Sequence, residues 1–114
     1  MTMIKKSEGY WAVIERKFGK IIAKSTKELK VNPGSSEAYF KRGYVYWNLG
    51  EFDQAARDIE KVVKLNPGDL KKRRFLSMIY HDNGNSSKQI TCANQILKIK
   101  LMPVPIYFEG YHIT

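Results

Sequence analysis

The sequence has little with which to do chemistry. Its 114 residues include one cysteine, Cys92, and two histidines, His81 and His112. A single thiol excludes an intrachain disulfide framework and fits a reducing compartment, so the expected setting is cytoplasmic. Neither histidine has another His or Cys at ligand spacing, so no metal site and no cofactor is expected. No segment has the glycine spacing of a phosphate-binding loop or a dinucleotide fingerprint, and periodicity places no acidic pair in a core. No catalytic residue is nominated, and the chain is not expected to be an enzyme. Cys92 lies in an apolar-periodic stretch, where a free cysteine usually serves as a small core residue.

Long hydrophobic runs are also missing. The longest, such as Tyr10 to Ile14, fall far short of the roughly 20 residues that a membrane span requires, and the N-terminus lacks the apolar stretch of a signal peptide. A soluble intracellular chain with no membrane partner is expected. Acidic residues are scarce, 11 Asp and Glu against 20 Lys and Arg, for a formal charge of +9. The excess is shared between the halves, +5 over residues 1–57 and +4 over 58–114, so no single basic tail dominates. Such a balance favours acidic partners, chiefly through association rate at low salt. What the chain does have is apolar material, 43% hydrophobic and 12% aromatic, too much for a disordered polyelectrolyte and enough for one folded domain.

That material is periodic. Val31-Asn32-Pro33-Gly34 recurs as Leu65-Asn66-Pro67-Gly68, and Pro33 and Pro67 are 34 positions apart. Phe18, Ile21, Leu29 and Val31 fall in register with Phe52, Ala55, Val63 and Leu65. The same step carries Tyr46 to Tyr80 and Gly50 to Gly84, so a third copy follows. In the central copy, Tyr39, Gly43, Tyr46, Trp47 and Gly50 are spaced by threes and fours, one helical face mixing large aromatics with glycine gaps. Leu49-Gly50-Glu51-Phe52-Asp53 reads as a helix stop, a turn and an N-cap at Asp53. A second helix then runs through Phe52, Ala55, Ala56, Ile59, Val62, Val63 and Leu65 to Asn66-Pro67-Gly68, where proline ends the ladder. Each copy is therefore expected to be a helix hairpin, giving six antiparallel helices.

A 34-residue helix-turn-helix unit of this pattern resembles the tetratricopeptide repeat. With Ser36 as first position, Tyr39 stands where the family has Trp, and Gly43, Tyr46, Gly50, Phe52, Ala55, Ile59 and Pro67 fall on signature positions. Arg42 replaces the usual Leu and Val62 a small residue, so slightly wider helix spacing is expected there. The first copy, 2–35, is degenerate: Gly9, Phe18 and Pro33 fit, but Arg16 holds the inter-helix glycine position and Lys5 the aromatic one. The third, 70–103, offers Ser77, Tyr80, Gly84, Ala93 and Ile96, with its proline two residues late at Pro103. The resemblance implies an all-α, right-handed superhelical solenoid of three hairpins, 2–35, 36–69 and 70–103, followed by a non-helical tail over 104–114.

The resemblance also implies a function. Stacked hairpins present a concave face lined by the first helix of each unit, and this family binds partner proteins there. Its groove positions fall here on Lys6, Tyr10, Phe40, Tyr44, Trp47, Lys71, Arg74 and Met78, among others. Cations interleaved with aromatics and Met suit an acidic, partly hydrophobic peptide, such as an acidic or C-terminal segment of another protein. The expected role is a non-enzymatic adaptor or scaffold within a multiprotein or co-chaperone assembly. One branch of the family grips a chaperone's terminal carboxylate. Lys6 and Lys71 match two of its lysines, whereas Tyr10 and Lys41 replace asparagines and Phe75 replaces an arginine. The run Lys71-Lys72-Arg73-Arg74 opens a helix and opposes its macrodipole, which an anionic partner would relieve. Single-stranded RNA is the alternative partner, bound by phosphate contacts and stacking on the aromatics. The tail from Pro103, with Val104, Ile106, Tyr107, Phe108 and Tyr111 and no Lys or Arg, is left open between a cover for the last hairpin, an internal pseudo-ligand, an oligomer contact and disorder.

Overall fold

The computed structural model describes residues 2–101, with side chains from Gly9 onward. Five helices follow one another: α1 (Thr2–Val31), α2 (Ser36–Asn48), α3 (Phe52–Leu65), α4 (Leu70–Asp82) and α5 (Ser86–Lys100). Each packs on its neighbours in the chain, α1 on α2, α2 on α3, α3 on α4 and α4 on α5, which is the connectivity of a helical repeat stack. The all-α architecture expected from the sequence is therefore present. The expected tail, 104–114, lies outside the described residues.

The first hairpin does not form as expected. In place of two helices over 2–35 there is one uninterrupted helix of 30 residues, so the described chain has five helices instead of six. The cause lies in a single backbone requirement. The turns between α2 and α3 and between α4 and α5 each place a glycine in the left-handed region, Gly50 at φ 79° and Gly84 at φ 73°. Glycine enters that region without steric penalty. The equivalent position in the first copy is Arg16, flanked by Glu15 and Lys17, all residues that favour helix. The ladder therefore continues straight through the place where a turn was expected.

The helix starts follow the same period. Ser35 and Asp69 cap α2 and α4, their side chains accepting from the amides of Ala38 and Lys72, and Asn85 caps α5 by accepting from Lys88. Asp53 is not the N-cap of α3. It is the second residue of that helix, and its carboxylate accepts from the side-chain amide of Asn83, tying one inter-helix turn to the next.

The core runs between α3, α4 and α5: Ala55, Ala56, Ile59, Val62, Val63, Leu76, Ile79, Tyr80 and Cys92 are buried, with Tyr39, Phe40, Tyr46, Trp47, Phe52 and Phe75 packed against them. Helix α2 comes close to α3 at Gly43. A Cβ there would lie 2.8 Å from Ile59 Cδ1 and 3.0 Å from Asp58 Cβ. The wider spacing expected beside Arg42 is thus not what this crossing shows. Arg42 is accommodated by charge pairing: Nε and Nη2 donate to the two Asp58 oxygens at 2.8 Å each, and Nη1 donates to Thr26 Oγ1 at 3.0 Å. Asp58 is 4% exposed, so this fork supplies the counter-charge that its burial requires. The same pairing holds the Arg42 guanidinium above its ordinary pKa.

Two outcomes are expected. Gly43→Ala forces a methyl into the α2–α3 crossing and should cost about 1–3 kcal/mol in urea unfolding. Tyr80 is buried and its hydroxyl donates to the Glu60 carboxylate, and burial first and this bond second raise its pKa well above the ordinary 10. Above pH 10 the unfolded chain loses this proton while the folded chain keeps it. Stability should therefore be level in this respect below pH 10 and fall above it, and Tyr80→Phe should flatten that alkaline decline in urea titrations on either side of pH 10.

Candidate functional site

Helices α2 and α4 lie side by side and present one face together. Phe40, Tyr44 and Trp47 recur at helical spacing on α2, and Lys71, Phe75 and Met78 do so on α4. With Lys72 they line a cleft of about 320 Å³. Phe75 is its centre. Its ring lies 5.5 Å from Trp47 in edge-to-face geometry, 5.9 Å from Phe40 and 6.0 Å from Tyr44. Phe40 and Tyr44 stack at 6.2 Å. Such pairs contribute about 0.5–1.5 kcal/mol each beyond burial, so the cluster also joins α2 to α4. The Trp47 indole N–H donates to Asp82 Oδ2 at 2.8 Å, which fixes the ring's angle. Tyr44 and Met78 remain 47% and 42% exposed, leaving apolar surface at the mouth of the cleft.

The charges around the cleft differ in what they already do. Lys72 Nζ lies 4.6 Å above the Phe40 ring and 3.7 Å from Asp69 Oδ2, so it is partly neutralised. Arg73 turns away and donates to the Pro67 carbonyl at 3.0 Å and to Gln95 Oε1 at 2.7 Å. Lys71 and Arg74 are exposed and form no ion pair among the described residues. Lys71 is thus the cation at the cleft with its charge available.

Of the eight groove residues named from the sequence, five share this cleft: Phe40, Tyr44, Trp47, Lys71 and Met78. Arg74 is exposed on α4 but does not line it. Tyr10 is 60% exposed on the N-terminal part of α1, its ring edge-on to Trp11 at 5.6 Å, and is not brought to the cluster. The side chain of Lys6 lies outside the described residues. Phe75 and Lys72 line the cleft without having been nominated. Phe75 is legible in retrospect, since Lys71, Phe75 and Met78 fall at i, i+4 and i+7 on one stripe. The clamp geometry is also incomplete at residues that the structure describes. Phe75 fills the arginine position with a ring, and Lys41 at an asparagine position lies 3.9 Å from Glu37.

Among the described residues no group of three His, Cys, Asp or Glu is placed to hold a metal ion, and His81 is exposed alone. His112 lies outside the described residues. No helix among the described residues is long and apolar enough to cross a membrane.

A strip of stacked antiparallel helices with a side-chain cleft on its first-helix face defines a helical-repeat interaction module. Residues 36–69 match the sequence profile of the tetratricopeptide repeat. The chain is similar to a TPR repeat-containing protein of Methanocaldococcus jannaschii, 29% identical over 65 residues that make up 57% of this chain and 12% of that protein. It is also similar to the small glutamine-rich tetratricopeptide repeat-containing protein 2 of Saccharomyces cerevisiae, 24% identical over 83% of this chain and 28% of that protein. Among solved structures, a crystal structure of MamA aligns with a TM-score of 0.64 at 24% identity, over 74% of this chain and 50% of that one. A MamA mutant aligns with a TM-score of 0.67 at 18% identity, over 89% and 56% of the two chains. The profile match covers the central repeat, and the tetratricopeptide-repeat fold is that of a protein–protein interaction module in general. It spans only a small part of the length of the two curated relatives.

Cys92 provides a check on this arrangement. Burial is the main cause of its raised thiol pKa, so little thiolate forms at neutral pH. A disulfide-exchange reagent should modify it far more slowly in the native chain than in urea, followed by thiol titration with time.

Proposed function

We propose that the chain is a non-enzymatic adaptor, working in the cytoplasm, that takes an acidic, partly hydrophobic peptide of another protein in the cleft between α2 and α4. The observation that carries this is the coincidence, in one cleft of about 320 Å³, of an aromatic floor and the unpaired ammonium of Lys71. Phe75 and Phe40 offer an apolar seat for a Leu or aromatic anchor, with Trp47 held rigid by Asp82. Lys71 stands at the edge to meet a carboxylate, while the net charge of +9 speeds encounter with an acidic segment. Burying the anchor supplies most of the affinity, and the charge pair supplies selection.

A peptide held by side-chain carboxylates is favoured over one held by its terminus, because Phe75 and Lys41 replace the donors that a terminal clamp needs. A co-chaperone role therefore requires a different grip from the clamp of that branch.

The test is titration of the full chain with a library of fluorescent acidic peptides carrying one Leu or Phe anchor, with unlabelled single-stranded RNA as competitor. The expected result is saturable binding that Lys71→Glu weakens about tenfold and Met78→Ala weakens by a similar factor, with helicity unchanged. Amidating the peptide's C-terminus should leave the affinity nearly the same. Binding displaced by RNA, or indifferent to both substitutions, would instead assign the cleft or the basic surface another use.

A further inference from the structure

A second hollow, of about 400 Å³, lies between α1 and α2. On α1 its wall is Ile21, Lys24, Ser25 and Glu28. One period of 34 residues later these positions are Ala55, Asp58, Ile59 and Val62, all buried on α3, and Asp58 and Ile59 are the residues that Gly43 of α2 meets. On α2 the wall includes Lys41, whose equivalent is Phe75, the residue against which α2 sets its aromatics. The hollow is therefore a seat, one repeat earlier, for a helix equivalent to α2.

The segment in register with α2 is 2–14, with Gly9 on Gly43 and Trp11 on Val45. In α1 it continues straight past its own seat. Gly9 has nothing within 4 Å of where its Cβ would stand, whereas Gly43 is in tight contact. Trp11 is 50% exposed, whereas Val45 is 3% exposed. A glycine inside an exposed helix costs about 0.5–1 kcal/mol relative to alanine, and here no close approach offsets it. A continuous helix cannot lay its first half against its second.

We infer that the seat is filled by the first half of α1 from a second copy of the chain, exchanged reciprocally. The contacts of Gly43 translate to Gly9 of one copy against Lys24 and Ser25 of the other. Residues 9 and 25 are equidistant from Lys17, so two α1 helices crossing antiparallel about a two-fold axis near Lys17 form both contacts at once. The interface is then isologous and closed, with an element exchanged between copies. The lengths agree: α1 has 30 residues, about 45 Å, and each seat takes a helix the size of α2, about 20 Å. Tyr10 of the second copy is brought beside Lys41 and Tyr44 and lengthens the groove. Arg16 and Lys17 come together at the axis, with Glu15 beside them.

Sedimentation equilibrium of the full chain over a wide concentration range tests this. The expected wild-type species is at twice the 13.2 kDa of the chain. Gly9→Leu and, independently, Trp11→Glu should raise the dissociation constant at least about tenfold. Both positions are exposed in the single chain, so far-UV helicity should be retained, and Gly9→Leu should if anything raise it. A wild type that is monomeric throughout overturns the inference, including the case where α1 breaks and folds back on its own seat. A dimer indifferent to both substitutions also overturns it.

Discussion

The stack depends on the approach of α2 to α3 at Gly43. Because this residue has no Cβ, the backbone of α2 can rest on Ile59, which is fully buried, and on Asp58 beside it. The neighbouring Arg42 then reaches both Asp58 oxygens in a planar fork and Thr26 of α1 with its remaining amine. A carboxylate that is 4% exposed is tolerated only when paired, so the fork is a condition of the close approach and not an addition to it. Two consecutive residues thus set the depth of α2 against α3 and its angle to α1.

With α2 placed, its other side follows. Phe40, Tyr44 and Trp47 are three or four residues apart, and the helix that buries Gly43 against α3 turns them toward α4. Phe75 fills the space between the two helices and touches all three rings. The cleft is consequently part of the packing as well as the candidate binding surface. Anchor residues held rigid in this way lose little entropy when a ligand arrives, which favours affinity. The basic start of α4 is sorted by the same geometry: Asp69 takes Lys72, Pro67 and Gln95 take Arg73, and Lys71 keeps its charge for solvent or a partner.

Much of this was legible in the sequence. The 34-residue period located four of the helices, because Pro33, Gly50, Pro67 and Gly84 end helices for reasons that depend on one residue's backbone. Phe40, Tyr44 and Trp47 are named by the resemblance, which puts them at groove positions. Phe75 is hidden by the arginine that it replaces in the family pattern, although its spacing to Lys71 and Met78 sets all three on one helical stripe. Asp53 was misplaced by two residues as a cap, since a carboxylate near a helix start serves equally well as an acceptor for another turn. Arg42 is the clearest limit: periodicity marks it as an intruder on a packing face, and only three dimensions supply Asp58 and Thr26, each 16 residues away.

The degenerate first copy shows that a repeat carries two separable instructions. One is the packing face, and residues 2–31 keep it: Gly9 stands at the close-approach position and Phe18 and Ile21 at the return positions. The other is the turn, which rests on one residue able to adopt positive φ, and Arg16 does not supply it. When the face survives without the turn, the two halves of the unit are held 180° apart along one rod, and neither can reach the other. The half that ought to be covered is left as an open seat on α2, and the half that ought to cover it projects with Tyr10, Trp11 and Val13 in solvent. Exposed aromatic surface on a helix is costly for an isolated chain, and its spacing is specified by the same period that specifies the seat. Complementarity between two surfaces of one molecule that geometry keeps apart within that molecule is what a second copy of it can satisfy.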